Sequence, residues 1–361
     1  MKDDYNLQSI YEAMEDEIID SYRRNLAKHT AEEAAAGFQW PMWQALKLQD
    51  LKSFDSDVAG LLKKYGKQSD AAVEQEIKNS FSDGTVNADR LLKDIDVDIS
   101  KIGDGSFFKA NERQTAALQS AISNDLSDAK QAVLRMSNDV FRQTIYKAQT
   151  FYTQGVSTLW HAVDMASQDF LNRGLNCIEY KNGVRVNIAS YAEMALRASS
   201  KKAYMVGEGR RSAEYGVTLC QVTQYSACSP TCLPWQGRIY IDDVYAGGVP
   251  DGKHRLLSQA IDGGLFHPNC RHIKQPYYEG ISEPLTPISG TETDDNYEAE
   301  QRQREIERNI RKFKRRVAGS LDPKVQEKAQ LKVDAWQQKM REHLDDNQQL
   351  RRESAREKVY A

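Results

Sequence analysis

The sequence lacks the features that mark membrane-spanning, secreted and disulfide-built proteins. No apolar run among its 361 residues approaches the ~18 needed to cross a bilayer. Cysteine is scarce and odd in number, five in all, which fits reduced thiols or metal ligands better than a disulfide framework. The first residues, Met1-Lys2-Asp3-Asp4, are acidic where a signal peptide would be basic and then greasy, so synthesis in a reducing cytoplasm is expected. Motifs of familiar chemistry are also missing. There is no Gly-x4-Gly-Lys-Ser/Thr phosphate loop and no His-Glu-x-x-His zincin helix. The His-x-Glu and Pro-Cys-x-x-Cys pair of a zinc deaminase is absent too. Gly207-Glu208-Gly209 is too short to cradle a phosphate. An enzyme is therefore not the expected reading.

What is present suits a polar, globular, helix-rich chain with room for two or three domains: 40% hydrophobic and 28% charged residues. The formal net charge of −3 hides an asymmetry, because residues 299–361 hold 17 Lys+Arg against 11 Asp+Glu and the remainder is net acidic. A basic tail can touch nucleic acid or an acidic partner. Arg308, Arg311, Lys312, Lys314, Arg315 and Arg316 are the nucleic-acid candidates, with Arg302 and Arg304 before them. Interleaved Glu305 and Glu307 weaken that footprint, and a plain solvated helix is the alternative.

Periodicity predicts a predominantly helical α+β fold. Leu7, Ile10, Tyr11, Met14, Ile18, Tyr22 and Leu26 recur at helical steps within 1–36. Gly37 and Pro41 bracket an aromatic turn, and 42–65 is helical again. Ser80–Asn87 and Ile102–Phe107 carry loop residues. From 109 to 173 the pattern is helical with hardly a break, and such long helices bundle with each other or with partner subunits. The lone His29 and His161 read as structural or surface residues.

The character changes at Leu175. Asn182-Gly183 between short β-forming runs predicts a hairpin over 177–188. Ser190-Tyr191-Ala192-Glu193 is a capping-box pattern for a helix reaching Val206. Strands are expected at Val217–Tyr225 and Arg238–Ile241, and a short helix at 254–262 ending on Gly263-Gly264. After a linker, the tail reads as two amphipathic helices, the second starting at Asp322-Pro323. The expected domains are a helical region (1–174), a small α+β Cys/His module (175–280), a linker (281–297), and a basic amphipathic tail (298–361) that folds as a helical hairpin or arm.

The module holds the residues with chemical potential. Cys228-Ser229-Pro230-Thr231-Cys232 has a spacing at which both thiolates reach one ion. Cys270-Arg271-His272 places two more ligands on one face of an extended segment, with His267 as an alternate. Tetrahedral zinc takes four such ligands, and an ion shared by the two loops contributes on the order of 10 kcal/mol to folding. Buried thiols packed as small hydrophobes, a disulfide formed after lysis, and hydrogen-bonded core histidines are the competing readings. A nucleophile dyad of Cys270 or Cys232 with His254 or His272 would make the chain a hydrolase instead. A shell closed by four Cys/His ligands leaves no position for water and favours structure over hydrolysis.

Three runs carry a resemblance. They are Ser190-Tyr191-Ala192-Glu193-Met194-Ala195-Leu196-Arg197, Cys232-Leu233-Pro234-Trp235-Gln236-Gly237, and His267-Pro268-Asn269-Cys270-Arg271-His272. Together they resemble the phage minor capsid protein 2 family, as does the Arg/Glu-rich stretch at 298–308. The ending His-Pro-Asn-Cys-Arg also resembles head-morphogenesis proteins of the phage Mu F type. The likeness covers roughly 170–320. It implies a structural protein of the virion, made in the host cytoplasm and lying in the head interior or at the portal vertex. The implied partners are portal and capsid subunits, and packaged DNA, with several copies in the particle. Members of the family often carry a histidine where Cys232 stands, an exchange a zinc ligand tolerates. The family pattern matches Cys228 less well, which leaves the fourth ligand open between Cys228 and His267.

Overall fold

The computed structural model describes residues 6–28, 40–93, 106–154, 158–286, 288 and 290–357. Among these the fold is predominantly helical α+β, as the periodicity predicts. The helices are α1 (Asn6–Ala27), α2 (Trp40–Leu92), α3 (Ser106–Thr153), α4 (Leu159–Arg173), α5 (Ile188–Glu214), α6 (Leu257–Asp262), α7 (Gly290–Gly319) and α8 (Pro323–Asp346). The strands are β1 (Ile178–Glu179), β2 (Arg185–Val186), β3 (Leu219–Val222), β4 (Ile239–Ile241), β5 (Arg255–Leu256) and β6 (Lys274–Pro276). No helix among the described residues is long and apolar enough to cross a membrane.

Two compact units divide the chain. Unit 1 comprises 1–69, 125–192 and 302–361; unit 2 comprises 70–124 and 193–301. In unit 1 every apolar position of the first helical stripe is buried, from Leu7 to Leu26. His29 and Gly37 lie outside the described residues. Pro41 sits in the first turn of α2, where its missing N–H has no helical partner to lose, so it opens the helix. The core centres on Tyr22, whose ring meets Phe54, Phe141 and Phe170 at centroid distances of 6.0, 5.8 and 5.3 Å. Its hydroxyl stays paired with Thr144 Oγ1 at 2.7 Å.

A carboxylate organises the turn after α4. Glu15 Oε1 accepts from the Leu175 N–H (2.6 Å) and Asn187 Nδ2 (2.5 Å), and Oε2 lies 3.2 Å from Arg315. Gly174 adopts φ 65°, and a Cβ there would collide with Glu15, so only glycine turns the chain at this point. The hairpin follows with the register Ile178↔Val186 and Glu179↔Arg185, and Gly183 takes φ 79° in its turn. The expected capping box is replaced by another cap: α5 starts two residues earlier, and Asn187 Oδ1 accepts from the Ala189 N–H at 2.9 Å. Asp322 caps α8 as predicted, accepting from the Lys324 N–H. The α7–α8 turn is held by Asp164, which accepts from the Leu321 and Asp322 N–H groups at 2.8 and 2.9 Å. Ile306, Ile310 and Met340 form the seam of that hairpin.

In unit 2 the sheet has the order β5-β4-β3-β6. β3 pairs antiparallel with β4 (Cys220↔Tyr240) and with β6 (Cys220↔Pro276), while β5 adds parallel to β4 (Tyr240↔Arg255). Three sequence expectations fail here for reasons of packing. The predicted loop at 80–87 is helix, and α5 runs through Gly207-Glu208-Gly209 to Glu214. Both departures share a cause: a Cβ on Gly84 would strike the Tyr204 carbonyl, and one on Gly207 would strike the Phe81 carbonyl. These glycines let two helix backbones touch. The predicted helix at 254–262 gives its start to β5, because Arg255 and Leu256 pair with β4. A fourth departure is that α7 begins at Gly290, inside the stretch whose composition marks a linker.

A buried ion cluster ties α5 to the sheet. Lys274 is fully buried, with its ammonium on Glu208 and 2.8 Å from Asp242. Burial alone would push the Lys274 pKa down; the two carboxylates outweigh it and push it up.

Candidate metal centre

Two loops at one end of the sheet bring the candidate ligands together. The first leaves β3, turns at Ser229, where the carbonyl accepts from the Cys232 N–H at 3.0 Å, and returns to β4 at Gly237. Gly237 takes φ 72°, and its N–H donates to the Val222 carbonyl. The second loop follows α6 and reaches β6. Its Cys270 N–H donates to the His267 carbonyl at 2.9 Å, closing a turn, and Phe266 before it holds φ 61°. Residues 38 positions apart thereby meet: Cys232 Sγ lies 3.5 Å from Cys270 Sγ, which lies 3.2 Å from His272 Nδ1. The ligand atoms of Cys232, Cys270 and His272 all fall within 4.8 Å of one another, and all three residues are buried.

Two separations in the trio come near those of a zinc site. Zn–S bonds of ~2.3 Å and Zn–N bonds of ~2.0–2.1 Å at tetrahedral angles separate two sulfurs by about 3.8 Å and a sulfur from a nitrogen by about 3.6 Å. The observed separations are a few tenths shorter. Protonation also fits. Gln236 Oε1 accepts from the Tyr225 backbone N–H at 3.0 Å, so that atom must be oxygen. His272 Nε2, 2.9 Å from the same oxygen, must then be the protonated nitrogen. A neutral His272 consequently points the lone pair of Nδ1 at the sulfurs, the tautomer that ligates a metal. Cys270 is drawn towards the thiolate by the hydrogen bond from Cys232, with the nearby Lys201 ammonium adding to it; Cys232 is pushed up by the same bond and by burial. Lys201, itself buried, donates to the Cys270 carbonyl at 3.0 Å and places a cation beside the pair.

Comparison with known proteins agrees with the resemblance read from the three runs. The family model described as phage minor capsid protein 2 matches residues 4–345. The chain belongs to that family. It is also 23% identical over 229 residues to a protein named "Structural protein" from Lactococcus phage LL-H, covering 61% of this chain and 62% of that relative. No solved structure matches.

In this chain the other two candidate ligands stand outside the trio. Cys228 Sγ contacts the Ser229 carbonyl at 3.3 Å, and burial pushes its thiol up to about 12. His267 Nε2 lies 2.9 Å from Ser229 Oγ, and burial lowers its pKa. Both side chains thus engage Ser229. Cys228, Cys232 and Cys270 also belong to the small core built on Val222, Tyr240 and Leu257, so they act as packing groups as well. The hydrolase alternative meets an obstacle. Cys270 and His272 are only 3% and 2% exposed, so no substrate carbonyl reaches the sulfur. His254 is engaged elsewhere, with Nδ1 at 2.6 Å from Asp251.

The basic candidates of the tail separate by helix face. Arg308, Arg311, Lys312 and Arg315 line one cleft, Lys312 also lying over the Phe313 ring, whereas Lys314 donates to the Glu357 carbonyl and Arg316 is not part of the cleft lining. Spacing at i, i+3, i+4 and i+7 is the signal that would have sorted them. Gln236, Lys201 and Ser229 were invisible as site residues, since no spacing rule marks a partner that orients a ligand.

Proposed function

We propose that this chain is a structural component of a tailed-phage head, seated near the portal vertex and bound to portal or capsid subunits, with its Cys/His cluster closed around a structural zinc ion. The observation that carries the reading is the family match from residue 4 to residue 345. The phage structural protein among its relatives supports it. Zinc is supported by the convergence, from two loops, of two thiols and an imidazole whose Nε2 faces the Gln236 acceptor. Cys232, Cys270 and His272 supply three ligands, and Cys228 or His267, both beside Ser229, supplies the fourth. Such a site locks the loops instead of activating water.

Purified virions test the role directly. Mass spectrometry is expected to find this chain in the particle, cross-linked to portal or capsid peptides. Particles that contain none of it would refute the head assignment. Elemental analysis of the purified protein is expected to give one zinc per chain; a metal-free protein that folds fully would remove the zinc and leave the head role standing.

A further inference from the structure

A second site lies in unit 1. One face of α7 and the segment from the end of α4 through the β1–β2 hairpin enclose a cleft of about 630 Å³. Arg173, Arg185, Arg308, Arg311, Lys312 and Arg315 line it, and among the described residues no acidic or aromatic one does. Four of these cations are paired with carboxylates: Arg173 with Asp169, Arg185 with Glu179, Arg311 with Glu12 and Arg315 with Glu15. Arg308 and Lys312 have no carboxylate partner among the described residues; Lys312 Nζ lies 5.3 Å from the centroid of the Phe313 ring, which leaves its charge uncompensated by an anion. The cleft therefore carries two uncompensated positive charges. Two buried polar atoms of its lining, Arg311 Nε and Asn172 Oδ1, also find no hydrogen-bond partner in the protein. Turned about its last bond, Asn172 offers N–H groups there instead.

We propose that this cleft binds phosphate groups, of the kind presented by a nucleic-acid backbone. The site goes beyond the head assignment and depends on neither the zinc nor the portal contact. Guanidinium forks and amide donors suit the several oxygens of a phosphate. The lack of an aromatic platform excludes base stacking, so recognition is indifferent to sequence. The volume is that of a small-ligand site, so the cleft takes a stretch of one backbone while the rest of a duplex stays outside it. Two uncompensated cations correspond to two backbone phosphates.

The test uses the full-length protein and a fluorescein-labelled DNA duplex, titrated between about 50 and 200 mM salt. Arg308→Glu with Lys312→Glu is expected to weaken binding at least tenfold and to lower the slope of log K against log salt by about 2. Lys328→Glu with Lys332→Glu makes the same charge change at exposed positions of α8 and is expected to stay within a few-fold of the parent. Arg308→Gln with Lys312→Gln, checked by circular dichroism, guards against misfolding. If the duplex does not bind but inorganic pyrophosphate raises the melting temperature of the parent and not of the Arg308/Lys312 variant, the phosphate site stands and its source is a free phosphate compound. Equal losses in both charge-reversal variants, or competition by polyglutamate where pyrophosphate fails, would overturn the proposal.

Discussion

Replacing Gln236 by Leu separates a metal-ligating His272 from one that is merely packed. Gln236 is buried and receives two donors on one oxygen, the Tyr225 N–H at 3.0 Å and His272 Nε2 at 2.9 Å. Leucine fills the volume and accepts neither. Each stranded buried donor costs ~1–3 kcal/mol, so the metal-free protein should lose roughly 2–6 kcal/mol. His272 also loses the bond that fixes its tautomer and ring plane. Removing such an outer partner typically weakens metal binding 10–100-fold, about 1.4–2.7 kcal/mol. Gln236→Glu keeps an acceptor for both donors and should retain most of the zinc affinity. Competition against a chromophoric chelator reads the affinity, and urea unfolding with and without chelator reads the stability. A leucine variant that holds zinc as tightly as the parent would refute ligation through Nδ1. Equal losses in the leucine and glutamate variants would refute the acceptor argument.

Three other outcomes are expected. Lys274→Met leaves Glu208 and Asp242 buried without their cation and should cost about 3–5 kcal/mol by urea unfolding, with Glu208→Gln and Asp242→Asn restoring part of it. Asp164 is raised to about 6 by burial, against the two N–H groups it accepts, so the folded state binds its proton more tightly than the unfolded state. Its stabilising contribution is complete below pH ~3.8 and is lost as pH rises through ~6, a difference of at most about 3 kcal/mol. Subtracting the Asp164→Asn stability profile from that of the parent should expose this slope; parallel profiles would contradict it. Gly84→Ala drives a methyl into the Tyr204 carbonyl and should destabilise by about 1–3 kcal/mol in thermal or urea unfolding, whereas an unchanged midpoint would mean that the two helices do not touch there.

Local chemistry was legible in the sequence, and contact chemistry was not. Asn182-Gly183 and Asp322-Pro323 announced a turn and a helix start because their meaning is set by their own backbone. The stripe from Leu7 to Leu26 announced a buried face for the same reason. Gly84 and Gly207 were misread because a helical glycine looks like a break until its neighbour is known; here each makes room for a carbonyl from another helix. At the cluster, Cys232, Cys270 and His272 were found by residue type and spacing, since metal ligands come from a short list. Gln236 was quoted only as part of a family run. Its role follows from a backbone N–H eleven positions away, which fixes which of its two amide atoms faces the imidazole.

The carboxylate of Glu15 also governs the order in which this chain can mature. Its partners sit at Leu175, Asn187 and Arg315, and unit 1 draws on the first, middle and last stretches of the chain. Every residue of unit 2 has been polymerised before the ribosome reaches 302, so that unit can finish early. Unit 1 is completed only once its last stretch, from residue 302, brings Arg315 to Glu15.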